Sequence, residues 1–166
     1  MYKVLPVPKK ISEKSAKKIS FKALKTSYKS CSKELTENIE RIIRIKFAKY
    51  DITVSGPADR SSAKKESNGR HKQILELSFN CTLDGHKDEI SPEDDELFKT
   101  QGYVIDLKDG SAEIYFEELR GAIYAISTLK QLFYEKSGDS GVFINEVFIL
   151  DYPEIEQRAL ATSGPA

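Results

Sequence analysis

The sequence GYVIDLKDGSAEIYFEELRGAIYAISTLKQLF, residues 102–133, decides the fold of this chain, together with VFINEVFILDYPEIEQR at residues 142–158. The first part alternates apolar and polar residues on both sides of Asp109-Gly110, and an Asp-Gly pair supplies the positive φ angles of a two-residue hairpin turn. From Gly121 the apolar residues recur every three or four positions, which predicts an amphipathic helix. A Gly/Ser loop and then a β-branched and aromatic run of strand length follow. The stretch therefore predicts strand, tight turn, strand, helix, loop and strand.

The rest of the chain supplies further strands and a second long helix. The predicted elements, in chain order, are an extended start at residues 2–7, a strand at 17–24, a helix from Ser30 or Ser32 to about Lys49, strands at 51–55 and 73–81, and a short helix from Ser91 to about Thr100. Residues 57–72 hold almost nothing apolar and predict a surface loop. Because hairpin strands occur together with long helices, this order predicts an α+β fold: a mixed, mostly antiparallel sheet with two main helices packed on one face.

Two segments of this chain carry a resemblance to a known family. The helix Arg120-Gly121-Ala122-Ile123-Tyr124-Ala125-Ile126-Ser127-Thr128-Leu129-Lys130-Gln131-Leu132 is followed by a strand that ends in Asp151-Tyr152-Pro153 and then Gln157-Arg158. This arrangement resembles the N-terminal domain of the β-N-acetylhexosaminidases of glycoside hydrolase family 20, and the similar domain of family 84. The match covers about residues 100–160. The segment Leu5-Pro6-Val7-Pro8 is similar to the Pro-x-Pro opening of such domains.

The resemblance implies a domain over residues 1–157, with residues 158–166 as the start of a truncated catalytic (β/α)8 barrel or as a tail. It implies that this domain is not an enzyme, because the catalytic Asp-Glu pair of family 20 lies on the barrel, downstream of Ala166. The expected role is to pack against the barrel of the parent chain and stabilise it. An amino-sugar substrate is then met only through that parent. A homodimer of the domain through uncovered apolar surface is a further expectation.

Arg158 is the single candidate substrate-binding residue, and only the resemblance implies it. Its position matches the Arg of the family's Arg-Gly junction, which holds sugar hydroxyls at the first barrel strand. Here Ala159 follows instead of Gly, and residues 160–165 depart from the family pattern. Arg158 is therefore interpreted either as a substrate contact in a longer parent or as an ordinary charge of the tail.

Charge is unevenly distributed along the chain although the net charge is zero. Residues 1–33 contain ten Lys and one acid, Glu13, whereas residues 84–118 contain twelve acids and three Lys. A basic segment can bind polyanions, so a stand-alone glycan- or polyanion-binding module that uses this Lys-rich N-terminal face is the alternative function. The segment has no Arg and no clustered aromatic residues, which argues against nucleic acid as a partner. We expect instead a solvated surface that faces the acidic segment.

The residue types that perform catalysis or bind metals form no recognisable constellation. His71 and His86 are the only histidines, and the residues around His86 lack the spacing of a calcium loop or a zinc site. Neighbouring acids do not face each other across a sugar, as glycosidase carboxylates must; these pairs are Asp94-Asp95, Glu117-Glu118, and Glu154 with Glu156. We therefore expect no catalytic residue, no cofactor and no metal in this chain.

The two cysteines and the N-terminus bear on the compartment. Cys31 and Cys81 are 50 residues apart and lie in no motif, so we expect two free, partly buried thiols, with a disulfide between them as the alternative. No apolar run is long enough to span a membrane, and no apolar signal segment follows the basic N-terminus. The default expectation is a cytoplasmic protein without a membrane partner.

Overall fold

The computed structural model describes residues 4, 6–57, 74–138 and 141–154 of the chain. The elements, in chain order, are β1 (Lys10–Phe21), β2 (Ala23–Lys29), α1 (Lys33–Phe47), β3 (Thr53–Ser55), β4 (Ile74–Asn80), α2 (Asp95–Gln101), β5 (Tyr103–Lys108), β6 (Ser111–Tyr115), α3 (Leu119–Leu132), β7 (Tyr134–Glu135) and β8 (Val142–Asp151). A 3₁₀ turn, Lys87–Glu89, precedes α2. The hairpin between β5 and β6 turns at Asp109 and Gly110, whose φ angles are 50° and 80°, so the predicted two-residue turn is confirmed.

The eight strands of the described residues form one mixed sheet with the order β1-β8-β5-β6-β4-β2-β3, and β7 pairs with β8 beyond the end of β5. The pairings of β8 with β1, β5 and β7 and of β5 with β6 are antiparallel. The pairings of β2 with β3 and β4, and of β4 with β6, are parallel. The predicted α+β class with a mixed, mostly antiparallel sheet is thereby confirmed.

The main core lies between one face of the sheet and the two long helices, as predicted. Helix α1 buries Ile39, Ile43 and Phe47, and α3 is buried along most of its length. The sheet contributes alternate residues of its central strands, such as Leu77 of β4 and Ile105 of β5, because successive side chains of a strand point to opposite faces. The short helix α2 was not assigned to a face from the sequence. It covers one end of the opposite face.

A second, smaller core forms under α2. Phe98 of this helix packs with Leu83, Val104 of β5 and Leu150 of β8, and these four residues are almost fully buried. Tyr115 of β6 and Phe148 of β8 are partly buried beside this smaller core. The central strands β5 and β8 are therefore covered on both faces near the end at which the chain leaves β8, and this end becomes the most enclosed part of the sheet.

The first strand differs from the sequence prediction. We expected one strand at residues 17–24, but β1 begins at Lys10, ends at Phe21, and is separated from β2 by a bend at Lys22. The Lys-rich residues 10–18 show no clear alternation because β1 is an edge strand with solvent on one side. Residues 4, 6 and 7 lie outside any strand, although the Val4 side chain is buried in the main core.

The cysteine prediction was wrong, because Cys31 and Cys81 form a disulfide with their Cα atoms 5.2 Å apart. Fifty residues separate them in sequence, but β2 and β4 are parallel neighbours and each cysteine follows the end of one of these strands. The backbone N–H of Cys81 donates to the carbonyl of Lys29 at 3.1 Å and extends the pairing past the strand ends. The two thiols meet only because of this strand pairing, which no local sequence pattern encodes.

A buried carboxylate holds an irregularity in β1. The register between β1 and β8 shifts between Glu13 and Lys18, so four residues of β1 lie opposite the single residue Glu146 of β8. The Glu146 carboxylate accepts a hydrogen bond from the Ser15 hydroxyl at 2.6 Å and one from the backbone N–H of Asp109 at 2.9 Å. These bonds lower the pKa of Glu146 below its ordinary value. One side chain thus connects the edge strand to the hairpin turn.

The lowered pKa predicts an acid-sensitive contribution of Glu146 to stability. A group whose pKa is lower in the folded state stabilises the fold above its unfolded pKa and loses that contribution as the pH falls through the folded pKa. The free energy of unfolding of the wild type relative to Glu146→Gln should therefore be largest above pH 4.5, the ordinary value of this carboxyl group, and should shrink at lower pH.

Urea unfolding at a series of pH values measures this difference. The matched control is Glu93→Gln, which removes an exposed carboxylate from the loop before α2. Two results contradict the role assigned to Glu146. The difference in free energy of unfolding between the wild type and Glu146→Gln could stay constant as the pH falls, or it could equal the difference measured for Glu93→Gln.

Gly121 allows the start of α3 to approach the backbone at the end of α2. A Cβ atom at Gly121 would lie 2.3 Å from the carbonyl oxygen of Gly102 and 3.2 Å from the Cβ of Phe116. The first of these is a rigid backbone atom, so a side chain at Gly121 cannot be accommodated by a rotamer change. Glycine at this position therefore serves packing, since Gly121 lies inside the helix.

We predict that Gly121→Ala lowers the free energy of unfolding by about 2 kcal/mol, the usual size of an overpacking penalty. The sign is informative, because alanine is intrinsically the better helix former by about 1 kcal/mol. Chemical denaturation measures the change, with Arg120→Ala, at an exposed position of the same turn, as the control. A Gly121→Ala variant as stable as the wild type, or more stable, contradicts the close contact.

Candidate functional site

Several hydrogen bonds and ring contacts converge where the chain leaves β8, at Asp151-Tyr152-Pro153. We call this turn the junction. Strand β8 runs through the sheet as a long β-branched and aromatic segment, and Asp151 is its last residue. Proline has no backbone N–H, so Pro153 ends the ladder, as expected from the sequence. The chain turns here, next to the residues that lead into β1.

The carboxylate of Asp151 holds the junction to three other elements. One oxygen accepts the backbone N–H of Lys9 at 3.2 Å, just before β1, and the other accepts the Tyr103 hydroxyl at 3.2 Å, at the start of β5. The Tyr103 oxygen lies 2.6 Å from the Thr128 hydroxyl of α3. Because Tyr103 donates to Asp151, Thr128 donates to Tyr103, and the Tyr103 hydroxyl acts both as a donor and as an acceptor. Asp151 is only 6% exposed, so its oxygens need hydrogen-bond partners within the protein.

Tyr152 fixes the second residue of the junction from the other face of the sheet. Its hydroxyl donates to the Asp94 carboxylate at 3.0 Å, and its ring meets Phe98 of α2 edge to face, with centroids 5.8 Å apart. Burial and the bond to Asp94 raise the pKa of Tyr152. The Lys9 ammonium lies 5.3 Å from the ring centroid of Tyr152 and 2.9 Å from the Glu154 carboxylate. The chain is therefore held on both sides as far as Glu154.

The other candidate residues from the sequence are not brought together. Arg158, Glu156 and His71 lie outside the described residues. Within the described part of the chain, Glu117 is 3.1 Å from the Lys87 ammonium, and the His86 ring lies 4.7 Å from the Tyr115 ring. No group of three or more His, Cys, Asp or Glu side chains suitable for a metal ion occurs among residues 4, 6–57, 74–138 and 141–154.

One surface depression of about 460 Å³ contains carboxylates, but it does not have the features of a glycosidase site. Its lining includes Asp51 beyond the C-terminal end of α1, Lys22 in the bend between β1 and β2, and Glu135 and Lys136 at the end of β7. All four side chains are exposed. A glycosidase needs an apolar environment that keeps one of its two carboxyl groups protonated, and this open, charged depression does not supply one.

The Lys-rich segment is largely neutralised within the fold. Seven of its ten lysines have a carboxylate within 4.0 Å, namely Lys9, Lys10, Lys14, Lys17, Lys25, Lys29 and Lys33. Four of these contacts reach the acidic segment, at Glu89, Asp106, Asp109 and Glu113. The expected surface, in which the lysines face the acidic segment, is therefore observed.

Sequence reasoning identified Asp151 and Pro153 but missed their partners. The alternation of residues 102–107 indicates only that Tyr103 lies on one face of a strand, and no local pattern singles out Thr128. The available signal was a hydroxyl on the apolar face of α3, because a buried polar side chain needs a partner. The identity of that partner depends on the position of α3 across β5, which is a tertiary feature.

Comparison with known proteins places this arrangement in a structural context. No protein-family model and no curated protein matches the sequence. A family 20 exo-β-N-acetylglucosaminidase from Vibrio harveyi, solved in complex with N-acetylglucosamine, is similar over 93% of this chain and 20% of its own, with a TM-score of 0.61 and 16% identity. A β-N-acetylhexosaminidase from Bacteroides fragilis is similar over 92% of this chain and 25% of its own, with a TM-score of 0.53 and 18% identity. The protein CpGH84B is similar over 95% of this chain and 24% of its own, with a TM-score of 0.55 and 16% identity.

These likenesses show a shared fold. The chain has the α+β fold of a domain present in β-N-acetylhexosaminidases of families 20 and 84, and it spans a fifth to a quarter of the length of these enzymes. The resemblance inferred from the α3 sequence and the Asp151-Tyr152-Pro153 turn is thereby confirmed at the level of the fold. Fold alone does not assign an activity. In the described residues, no helix is both long and apolar enough to cross a bilayer.

The hydrogen-bond chain at the junction predicts a graded response to substitution. Asp151→Ala should lower the free energy of unfolding by about 2 kcal/mol, because it removes an acceptor shared by the Tyr103 hydroxyl and the Lys9 N–H and leaves both donors without it. Tyr103→Phe should lower it by about 1 kcal/mol, since it removes one neutral hydroxyl from the same chain.

Chemical denaturation of the two variants measures these changes. The control is Tyr115→Phe, which removes a hydroxyl from a half-buried tyrosine beside the smaller core and should change stability by less than about 0.5 kcal/mol. If Asp151→Ala is no less stable than this control, the junction does not depend on the carboxylate.

Proposed function

We propose that this chain is the non-catalytic N-terminal accessory domain of a β-N-acetylhexosaminidase-like glycoside hydrolase. Its role is to pack against a (β/α)8 catalytic barrel that follows it and to stabilise that barrel. The observation that carries the proposal is the fold likeness, which extends over nearly the whole of this chain but over only a fifth to a quarter of the enzymes that share it.

The geometry of the junction supports this role. A domain that orients a following domain needs a rigid connection, because a flexible linker leaves the relative position of two domains free. Here the last described residues are fixed by Asp151 to β1, β5 and α3, and by Tyr152 to the loop before α2. The proposal assigns these contacts to holding the start of the barrel in a constant direction.

The contacts of the carboxylates support the proposal that this domain does not itself catalyse hydrolysis. Among the described residues, Asp94 and Glu154 are committed to Tyr152 and Lys9, and Glu117 is committed to Lys87. A carboxylate that holds the structure together in this way is poorly placed to act on a sugar. Under this proposal Arg158 contacts substrate only once the barrel is present.

A stand-alone glycan- or polyanion-binding module is the alternative, and the ion pairs of the Lys-rich segment weigh against it. A polyanion would have to compete with carboxylates already within 4.0 Å of seven lysines. Binding of that kind would weaken steeply with salt, because it depends on counterion release.

Activity measurements on matched proteins test the proposal. The isolated 166-residue chain should show no hydrolysis of a chromogenic N-acetyl-β-glucosaminide, whereas the product of the complete reading frame should hydrolyse it. Asp151→Ala in the complete product should shorten the half-life of activity on heating several-fold and leave kcat/KM at low temperature unchanged, because Asp151 holds the domain and does not touch substrate. Tyr115→Phe is again the control.

Two results contradict the proposal. Turnover by the isolated chain shows that it is itself an enzyme. Tight, salt-sensitive binding of a polyanion such as heparin to the isolated chain, in the absence of any hydrolase activity of the complete product, favours the binding module.

A further inference from the structure

The Cys31–Cys81 disulfide links the start of α1 to the end of β4. Cys31 lies between the end of β2 and Ser32, the residue that caps α1 by accepting the N–H of Leu35 at 3.2 Å. Cys81 follows the last residue of β4. The bond therefore attaches the N-terminus of α1 to the parallel part of the sheet, and both cysteines are half-buried and not sealed in the core.

The backbone next to the disulfide departs from regular strand pairing. Lys29 lies opposite Asn80 in the parallel register, so a regular continuation would place Cys31 opposite Thr82. Instead Ser30 adopts a φ of 58°, in the left-handed region that a serine seldom occupies, and this turn brings Cys31 beside Cys81. The local conformation that allows the bond is therefore one that the chain does not favour by itself.

The two ends of α1 are held in different ways. Near the C-terminal end, Phe47 and Tyr50 pack against Phe133, with ring centroids 5.0 and 5.8 Å apart. In the middle, Glu40 accepts the Tyr28 hydroxyl at 2.7 Å. The first turns, residues 33–38, contain no fully buried residue: Leu35 is partly buried against the main core, and the Ser32 cap and the adjacent disulfide supply the other contacts at this end.

We propose that the Cys31–Cys81 disulfide is a redox-controlled lock on the start of α1, formed in an oxidising compartment. When it is reduced, the first turns of α1 open, while the strands around the junction stay folded. The lock and the junction are independent, because the contacts of Asp151 and Glu146 involve β1, β5, α3, β8 and the hairpin turn. This inference revises the default of a cytoplasmic protein, since structural disulfides persist mainly where the environment is oxidising.

The chemistry of opening requires a dithiol reductant. A thiolate of the dithiol attacks the Sγ atom of Cys81, the sulfur–sulfur bond breaks, and Cys31 leaves as a thiolate. The second thiolate of the reductant then displaces Cys81 and closes the reductant's own disulfide, so two electrons pass to the protein and both cysteines end as thiols.

Amide hydrogen exchange, followed by mass spectrometry on the protein before and after dithiothreitol treatment, tests the lock. Exchange in peptides covering residues 31–40 should accelerate more than tenfold after reduction, whereas peptides covering 103–115 and 142–151 should change less than twofold. The Cys31→Ser/Cys81→Ser double variant should exchange like the reduced wild type and should not respond to dithiothreitol.

Alkylation in the source cells before lysis tests the compartment. The protein should contain no free thiol until it is reduced and two afterwards. Two alkylated thiols without reduction overturn the proposal. Unchanged exchange on reduction overturns it as well, and so does a uniform acceleration across all peptides. If the double variant does not fold, the reduced wild type still provides the comparison.

Discussion

The buried carboxylate of Asp151 is the interaction on which the rest of this structure depends. It lies at the end of β8, the strand that connects the β1 edge to the hairpin, and it accepts from the residue before β1 and from Tyr103 at the start of β5. Through Tyr103 it also reaches Thr128 of α3. The Asp151 side chain thus links the approach to β1, the end of β8 and, through Tyr103, helix α3. A buried polar group is tolerated only when its hydrogen bonds are made, so the arrangement also disfavours alternative positions of these elements.

A similar principle organises the edge of the sheet that carries the lysines. β1 is a long edge strand, and such strands tend to pair with other chains unless charge or irregularity prevents it. In this chain the register shift at Glu146 supplies the irregularity, and the paired lysines of β1 supply the charge. The lysines that suggested a polyanion partner instead contact the acidic segment, so the oppositely charged parts of the sequence lie against each other in the fold.

The parts of the fold that local sequence predicts well are those with a local physical cause. The turn at Asp109-Gly110 follows from positive φ angles, and the start of α1 follows from the capping hydroxyl of Ser32. The disulfide, the bounds of β1, and the partners of Asp151 have non-local causes. They depend on the parallel pairing of β2 with β4, on the edge position of β1, and on the crossing of α3 over β5. The junction was therefore recognised as a turn but not as a hydrogen-bonded anchor.

The central claim is that this domain holds the start of a catalytic barrel in a fixed direction. The most direct measurement is the sequence of the source reading frame beyond the codon for Ala166, together with the mass of the native protein. The account predicts several hundred further residues with alternating strands and helices, and an adjacent Asp-Glu pair at the end of a barrel strand. A native protein that ends at Ala166, or that continues into a segment with no barrel periodicity, would contradict it and leave a shared fold without the shared role.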